Sequence, residues 1–153
     1  MTPAVLDAFV LFDELDEAER RSLLDEMEIL EAKAGEVVFA EGETADGLLL
    51  LLRGRLSLAT VDGAEQGEFG PGTTFGAHAL VAPCAREITA EAAGDVRLLV
   101  LSRSGFERVG ERHPHAALRL ALAMLRENGA LVREAAHRLQ PAAARGDAPR
   151  SCD

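Results

Sequence analysis

Between Gly35 and Leu101 glycine interrupts the chain at short intervals, at positions 35, 42, 47, 54, 63, 67, 70, 72, 76 and 94. Between these breaks lie short segments such as EVVFA, LLLLLR, RLSLATV and VRLLVLS. Short strands separated by frequent turn signals predict an all-β roll, sandwich or barrel over this stretch. Leu56 and Leu58 alternate with Arg55 and Ser57, the pattern of a half-buried strand. Gly70-Pro71-Gly72 is a strong turn signal.

Helical signals flank this region. Residues 4–31 read as helical. A first amphipathic segment carries Val5, Leu6, Phe9, Leu11, Phe12 and Leu15. Asp16 is placed to cap a second helix, with Glu17 and Glu19 near its start. Leu23, Leu24, Met27 and Leu30 form that helix's buried stripe. Helix returns at Ser104, and Pro114 stands where a new helix can begin. From His115 to about Leu139 the sequence predicts one long helix, roughly 37 Å at 1.5 Å per residue. On it Leu118, Leu122, Leu125, Gly129, Val132, Ala136 and Leu139 step by four and three residues, a heptad seam of about three repeats. The tail 141–153, PAAARGDAPRSCD, is small and polar and is expected to be disordered.

The length of 153 residues fits one domain, and 48% apolar residues suffice for a core without disulfide staples. Net charge is −10, with a single lysine, Lys33, and arginines dispersed along the chain. Phosphate-backbone binding needs clustered cations, and base stacking is poorly served without Trp or Tyr, so DNA binding by this chain is not expected. The longest leucine run, Leu48 to Leu52, is far too short to span a bilayer, and no N-terminal signal is visible. A cytoplasmic protein is the expectation. Cys84 and Cys152, far apart in sequence, do not suggest a disulfide framework, and Cys84 reads as a small packed residue.

One stretch, FGAHALVAPCAREITA from Phe75 to Ala90, can build an anion site. Gly76 lets the backbone approach a ligand closely. Ala77 to Val81 can form one helical turn whose first N–H groups attract a phosphate. Arg86 then supplies a guanidinium able to hold phosphate oxygens in a two-pronged pair.

The order of these elements resembles the cyclic nucleotide-binding domain family. LFDEL (11–15) resembles its opening. AGEVVFAEGETADGLLLLLRGRLSL (34–58) follows its glycine-punctuated hairpin pattern. FGPGTTFG (69–76) resembles the lead-in to its phosphate-binding cassette, and LSRSGFERVGERHP (101–114) its hinge before the last helix. The resemblance implies an α+β, mainly β fold: a double-stranded β-helix, or jelly-roll-like β-roll, of about eight strands, flanked by N-terminal helices and a long C-terminal helix. The implied domain spans 1–140, with the roll over 34–101 and the long helix over 115–139.

The resemblance also implies a ligand site formed by Phe75, Gly76, Ala77, His78, Ala79, Arg86 and Glu87. Arg86 occupies the family's phosphate-holding position, at a gap-free spacing from Phe75-Gly76. Ala77 stands where the family carries a Glu that accepts a hydrogen bond from the ribose 2′-hydroxyl. Glu87 stands where small or hydroxyl residues usually follow the Arg. It either repels a phosphate and neutralises Arg86, or points away along the strand. His78 has no identifiable second ligand, so no haem or metal is expected. His113, His115 and His137 read as helix-end or surface residues.

The expected function is that of a non-enzymatic regulatory sensor for a nucleotide or other phosphate-containing ligand, with ordinary cyclic AMP or cyclic GMP affinity weakened or lost. No Ser/His/Asp set, HExxH, CxxC pair or P-loop supports an enzyme, and no cofactor beyond a cyclic nucleotide ligand is implied. The alternative is a ligand-free scaffold acting by dimerisation or by docking a separate protein partner. In dimeric regulators of the family the long helix forms the interface, so a homodimer through 115–139 is expected, the other option being that the seam packs on its own roll.

Overall fold

The structure, a computed structural model, describes residues 1–138. The tail 141–153 and Leu139 of the seam lie outside the described residues.

The chain opens with two 3-10 turns, Pro3–Ala8 and Val10–Phe12, and helix α1, Glu17–Leu24. Asp16 caps α1 as its position predicts. Its carboxylate accepts from the Glu19 N–H at 2.8 Å, and the Glu19 carboxylate accepts from the Asp16 N–H at 2.9 Å. The predicted helix does not continue to residue 31. Met27 and Leu30 belong to strand β1, Met27–Ala32, which pairs with six consecutive residues from Leu101 back to Val96. A stripe of Leu23, Leu24, Met27 and Leu30 suits a helix locally, but a six-residue ladder satisfies the same backbone and outweighs that preference.

Nine further strands follow among the described residues: β2 Val37–Phe39, β3 Thr44–Ala45, β4 Gly47–Arg53, β5 Leu56–Ala59, β6 Glu65–Phe69, β7 Thr74–Phe75, β8 Cys84–Ala85, β9 Thr89–Ala92 and β10 Val96–Ser102. They form two four-stranded antiparallel sheets, ordered β1-β10-β4-β7 and β2-β9-β5-β6, and a β3-β8 pair. The β-roll with flanking helices is therefore the observed fold, with the strands starting eight residues before Gly35.

The continuous leucine run of β4 has a direct structural cause. Leu48 and Leu50 face a core shared with the helices, together with Leu99 and Leu101 of β10. Leu49 and Leu51 face the opposite way, into the space between the sheets, with Leu98, Leu56, Leu58 and Phe39. A strand buried on both faces loses the apolar–polar alternation of a half-buried one.

After β10, Ser102 caps helix α2, Arg103–Arg112, its hydroxyl accepting from the Gly105 N–H at 3.0 Å. Helix α3, Pro114–Arg138, starts at the proline. It buries Ala116, Leu120 and Met124 in the same core as Leu6, Phe9 and Phe12 of the N-terminal turns. Arg119 reinforces this docking, donating to the Glu14 carbonyl and the Glu19 carboxylate, each at 3.2 Å.

Candidate functional site

The site begins where β7 ends. Phe75 pairs with Leu49 across the ladder, is buried, and lies against Phe39 and Phe69, with ring centroids 5.7 and 6.2 Å away. Gly76 follows in the left-handed region, at φ +77° and ψ +26°, and leads into a 3-10 turn, Ala77–Leu80. Only glycine enters that region without steric cost. A β-carbon here would also lie 2.7 Å from the Gly47 carbonyl oxygen and 2.8 and 3.2 Å from the two terminal nitrogens of Arg86. The glycine thus serves the turn and leaves room for the guanidinium.

Arg86 reaches this place from β8. Cys84 and Ala85 pair with Ala45 and Thr44 of β3. One residue further on, the Arg86 N–H donates to the Glu43 carbonyl, and the Arg86 carbonyl accepts from the Gly42 N–H, both at 2.8 Å. This two-bond clamp fixes the backbone from which the side chain projects. The residue is only 5% exposed, and its guanidinium carbon lies 4.2 Å from the centroid of the Phe39 ring. Stacking of this kind contributes on the order of 0.5–2 kcal/mol and leaves the planar fork of donors in a fixed orientation.

The residues anticipated from sequence divide into groups. Phe75, Gly76 and Arg86 come together. Ala77, where the family's ribose-binding carboxylate would stand, packs partly buried against the helical core. His78 is exposed, whereas Ala79 is buried in a small cluster with Ala45 and Cys84. Glu87 is exposed beside the buried Arg86, at the bend between β8 and β9, so the two neighbouring side chains enter different environments. Cys84 is disulfide-bonded, which corrects the expectation of a simply packed thiol. Phe39, on which Arg86 stacks, and Gly47, whose carbonyl closes on Gly76, complete the site and were not anticipated. Phe39 stands in EVVFA and Gly47 precedes the leucine run, and neither segment carries a signal of its distant neighbours.

Known proteins share the sequence pattern and the fold of this chain. Residues 29–113 match the cyclic nucleotide-binding domain family, more than half of the chain. The chain belongs to that family. Among curated relatives, the cGMP-dependent protein kinase egl-4 of Caenorhabditis elegans is 36% identical over 83 residues, 54% of this chain and 10% of the kinase. The lysophospholipase NTE1 of Pyricularia oryzae is 31% identical over 100 residues, 62% of this chain and 7% of the lysophospholipase. The chain thus matches about a tenth or less of the length of these relatives. Among solved structures of the same fold, the N-terminal domain of a transcriptional regulator from Streptomyces coelicolor superposes with a TM-score of 0.75 at 27% identity, covering 83% of this chain and 94% of that one. The catabolite activator protein of Thermus thermophilus superposes at 0.68 with 28% identity, over 84% of this chain and 61% of that one. Among the described residues no helix is long and apolar enough to cross a membrane.

Proposed function

We propose that this cyclic nucleotide-binding domain is a non-enzymatic sensor that holds the phosphate of a nucleotide or similar ligand on Arg86, with affinity for cyclic AMP and cyclic GMP weakened by Ala77. The observation that carries this reading is the buried Arg86 guanidinium, clamped through its backbone, stacked on Phe39 and seated against Gly76. Arginine held this way is preorganised for a phosphate, because little side-chain freedom remains to be lost on binding. The exposure of Glu87 favours the option in which its carboxylate points away from the phosphate.

Ala77 sets the expected affinity. A hydrogen bond to a charged group contributes about 1.5–3 kcal/mol. Its loss weakens binding roughly ten- to hundredfold. Output would pass through the turn that follows Gly76. Leu80 of that turn shares one core with Val109 of α2 and with Ala116 and Leu120 of α3. A ligand that prefers one packing of this cluster would shift the population of α3 arrangements. The test is calorimetric titration with cyclic AMP, cyclic GMP and cyclic di-GMP. Saturable binding lost in Arg86→Ala supports the sensor. Binding unchanged by that substitution refutes the site.

A second reading, dimerisation through α3, is favoured by its outer face. Leu118, Leu122 and Leu125 of the seam are 56%, 40% and 66% exposed, while Leu120 and Met124 turn inward. The domain's own roll does not cover the described leucines of the seam. A second copy of α3 would bury them in knobs-into-holes fashion, giving a homodimer able to act with or without a ligand.

A further inference from the structure

Strand β4 has two functional-looking ends. Gly47 touches the cassette at one end. Arg53 stands at the other, roughly 20 Å away at about 3.3 Å per residue. There a surface hollow of about 250 Å³ opens between the ends of β1, β4 and β10, lined by Glu31, Lys33, Arg53, Asp95 and Arg97 among others.

The charges around this hollow do not balance. Arg97 takes up Glu31, with its Nε 2.8 Å and its Nη2 2.6 Å from Oε1. Lys33 takes up Asp95 at 3.2 Å. Arg53 is the third cation, and among the described residues no hydrogen bond or ion pair engages it. It is also the direct register partner of Arg97. Like charges directly opposite each other on neighbouring antiparallel strands are destabilising. Here the pair persists in a chain whose net charge is −10, at a place where both arginines line the same hollow. An anion between them offsets the repulsion and can accept from the Arg53 guanidinium and from the Arg97 donors that Glu31 does not take.

We propose that this hollow binds a phosphate-type oxyanion, as inorganic phosphate or as the terminal group of a phosphomonoester, between Arg53 and Arg97. Lys33 contributes long-range attraction from the rim. The site stands apart from the cassette and does not depend on Arg86.

The experiment is thermal unfolding of the whole chain in sodium phosphate against sodium chloride at matched ionic strength, for the unsubstituted protein, Arg53→Gln and Arg86→Gln. General exclusion of phosphate from protein surfaces raises Tm in all three. Specific occupancy at tenfold excess over Kd adds roughly 3–6 °C for a chain of this size. The expected result is that this increment disappears in Arg53→Gln and remains in Arg86→Gln. In chloride alone, Arg53→Gln is expected to melt no lower than the unsubstituted protein. Equal increments in the unsubstituted protein and Arg53→Gln overturn the proposal. So does an increment lost only in Arg86→Gln, which would locate the phosphate in the cassette. Backbone amide shifts in a phosphate titration of the unsubstituted chain give an independent reading. Movement at Lys33, Arg53 and Arg97 supports the site, and movement confined to Gly76–Ala79 refutes it. Glycerol 3-phosphate in place of inorganic phosphate distinguishes the esterified from the free source.

Discussion

The guanidinium of Arg86 occupies the space that a side chain at Gly76 would need: one of its nitrogens lies 2.8 Å from the position of that missing β-carbon. The two residues are ten apart in sequence and specify each other sterically.

Gly76→Ala therefore carries two penalties, a left-handed backbone and a clash with both Arg86 and the Gly47 carbonyl. We expect a loss of about 1–3 kcal/mol in denaturant unfolding, with phosphate-ligand binding weakened as Arg86 is displaced. Gly42→Ala is the control. Gly42 has φ +86° but nothing within 4 Å of its would-be β-carbon, so only the conformational part applies. Equal losses for the two variants would contradict the packing argument.

Ala77→Glu places a carboxylate at the position from which the family engages a ribose. The expected outcome is a roughly ten- to hundredfold gain in affinity for cyclic AMP or cyclic GMP over the unsubstituted chain, read by titration calorimetry. An unchanged affinity would mean that a feature other than this carboxylate limits binding.

On α3, neighbouring leucines separate association from folding. Leu122→Glu changes a 40% exposed residue and is expected to shift sedimentation from dimer to monomer while leaving the melting temperature of the monomer little altered. Leu120→Ala removes a fully buried side chain and is expected to cost about 2–5 kcal/mol of stability. A sedimentation profile of Leu122→Glu identical to that of the unsubstituted protein would remove the support for a helix-mediated dimer.

Glu14 pairs with Arg126 of α3, first through a side-chain hydrogen bond and then through charge attraction, and both hold its carboxyl below the usual glutamate range. A carboxylate whose folded pKa is depressed stabilises the folded state above the unfolded pKa, near 4.3, and that contribution fades as pH falls through the folded value. The pair is solvent-exposed, so the effect is small and shrinks with added salt. Side-chain carboxyl shifts followed against pH should show the Glu14 midpoint moving upward in Arg126→Gln. A midpoint that stays in place would show that the two side chains do not interact in solution.

Legibility in the sequence varied from element to element, for physical reasons. The capping residues Asp16 and Ser102 act within three residues of their own position, so local chemistry exposes Asp16 directly in the sequence. Glycine spacing and short apolar runs revealed the roll, because turns and strand lengths are local as well. Strand β1 was misread because its partner, β10, lies about seventy residues away, and a four-residue apolar spacing cannot report a ladder formed at that distance.

The sequence by itself determined the β-roll between helices and the spacing that carries Gly76 and Arg86 to one place, since turn chemistry and residue order suffice for both. Only the tertiary structure decided that Arg86 stacks on Phe39, that the Gly47 carbonyl closes on Gly76, that Glu87 is exposed beside Arg86, and that Arg53 stands opposite Arg97. Those relationships arise when strands distant in sequence pair in a particular register, and register is set by burial on both faces of the sheets rather than by any short stretch of chain.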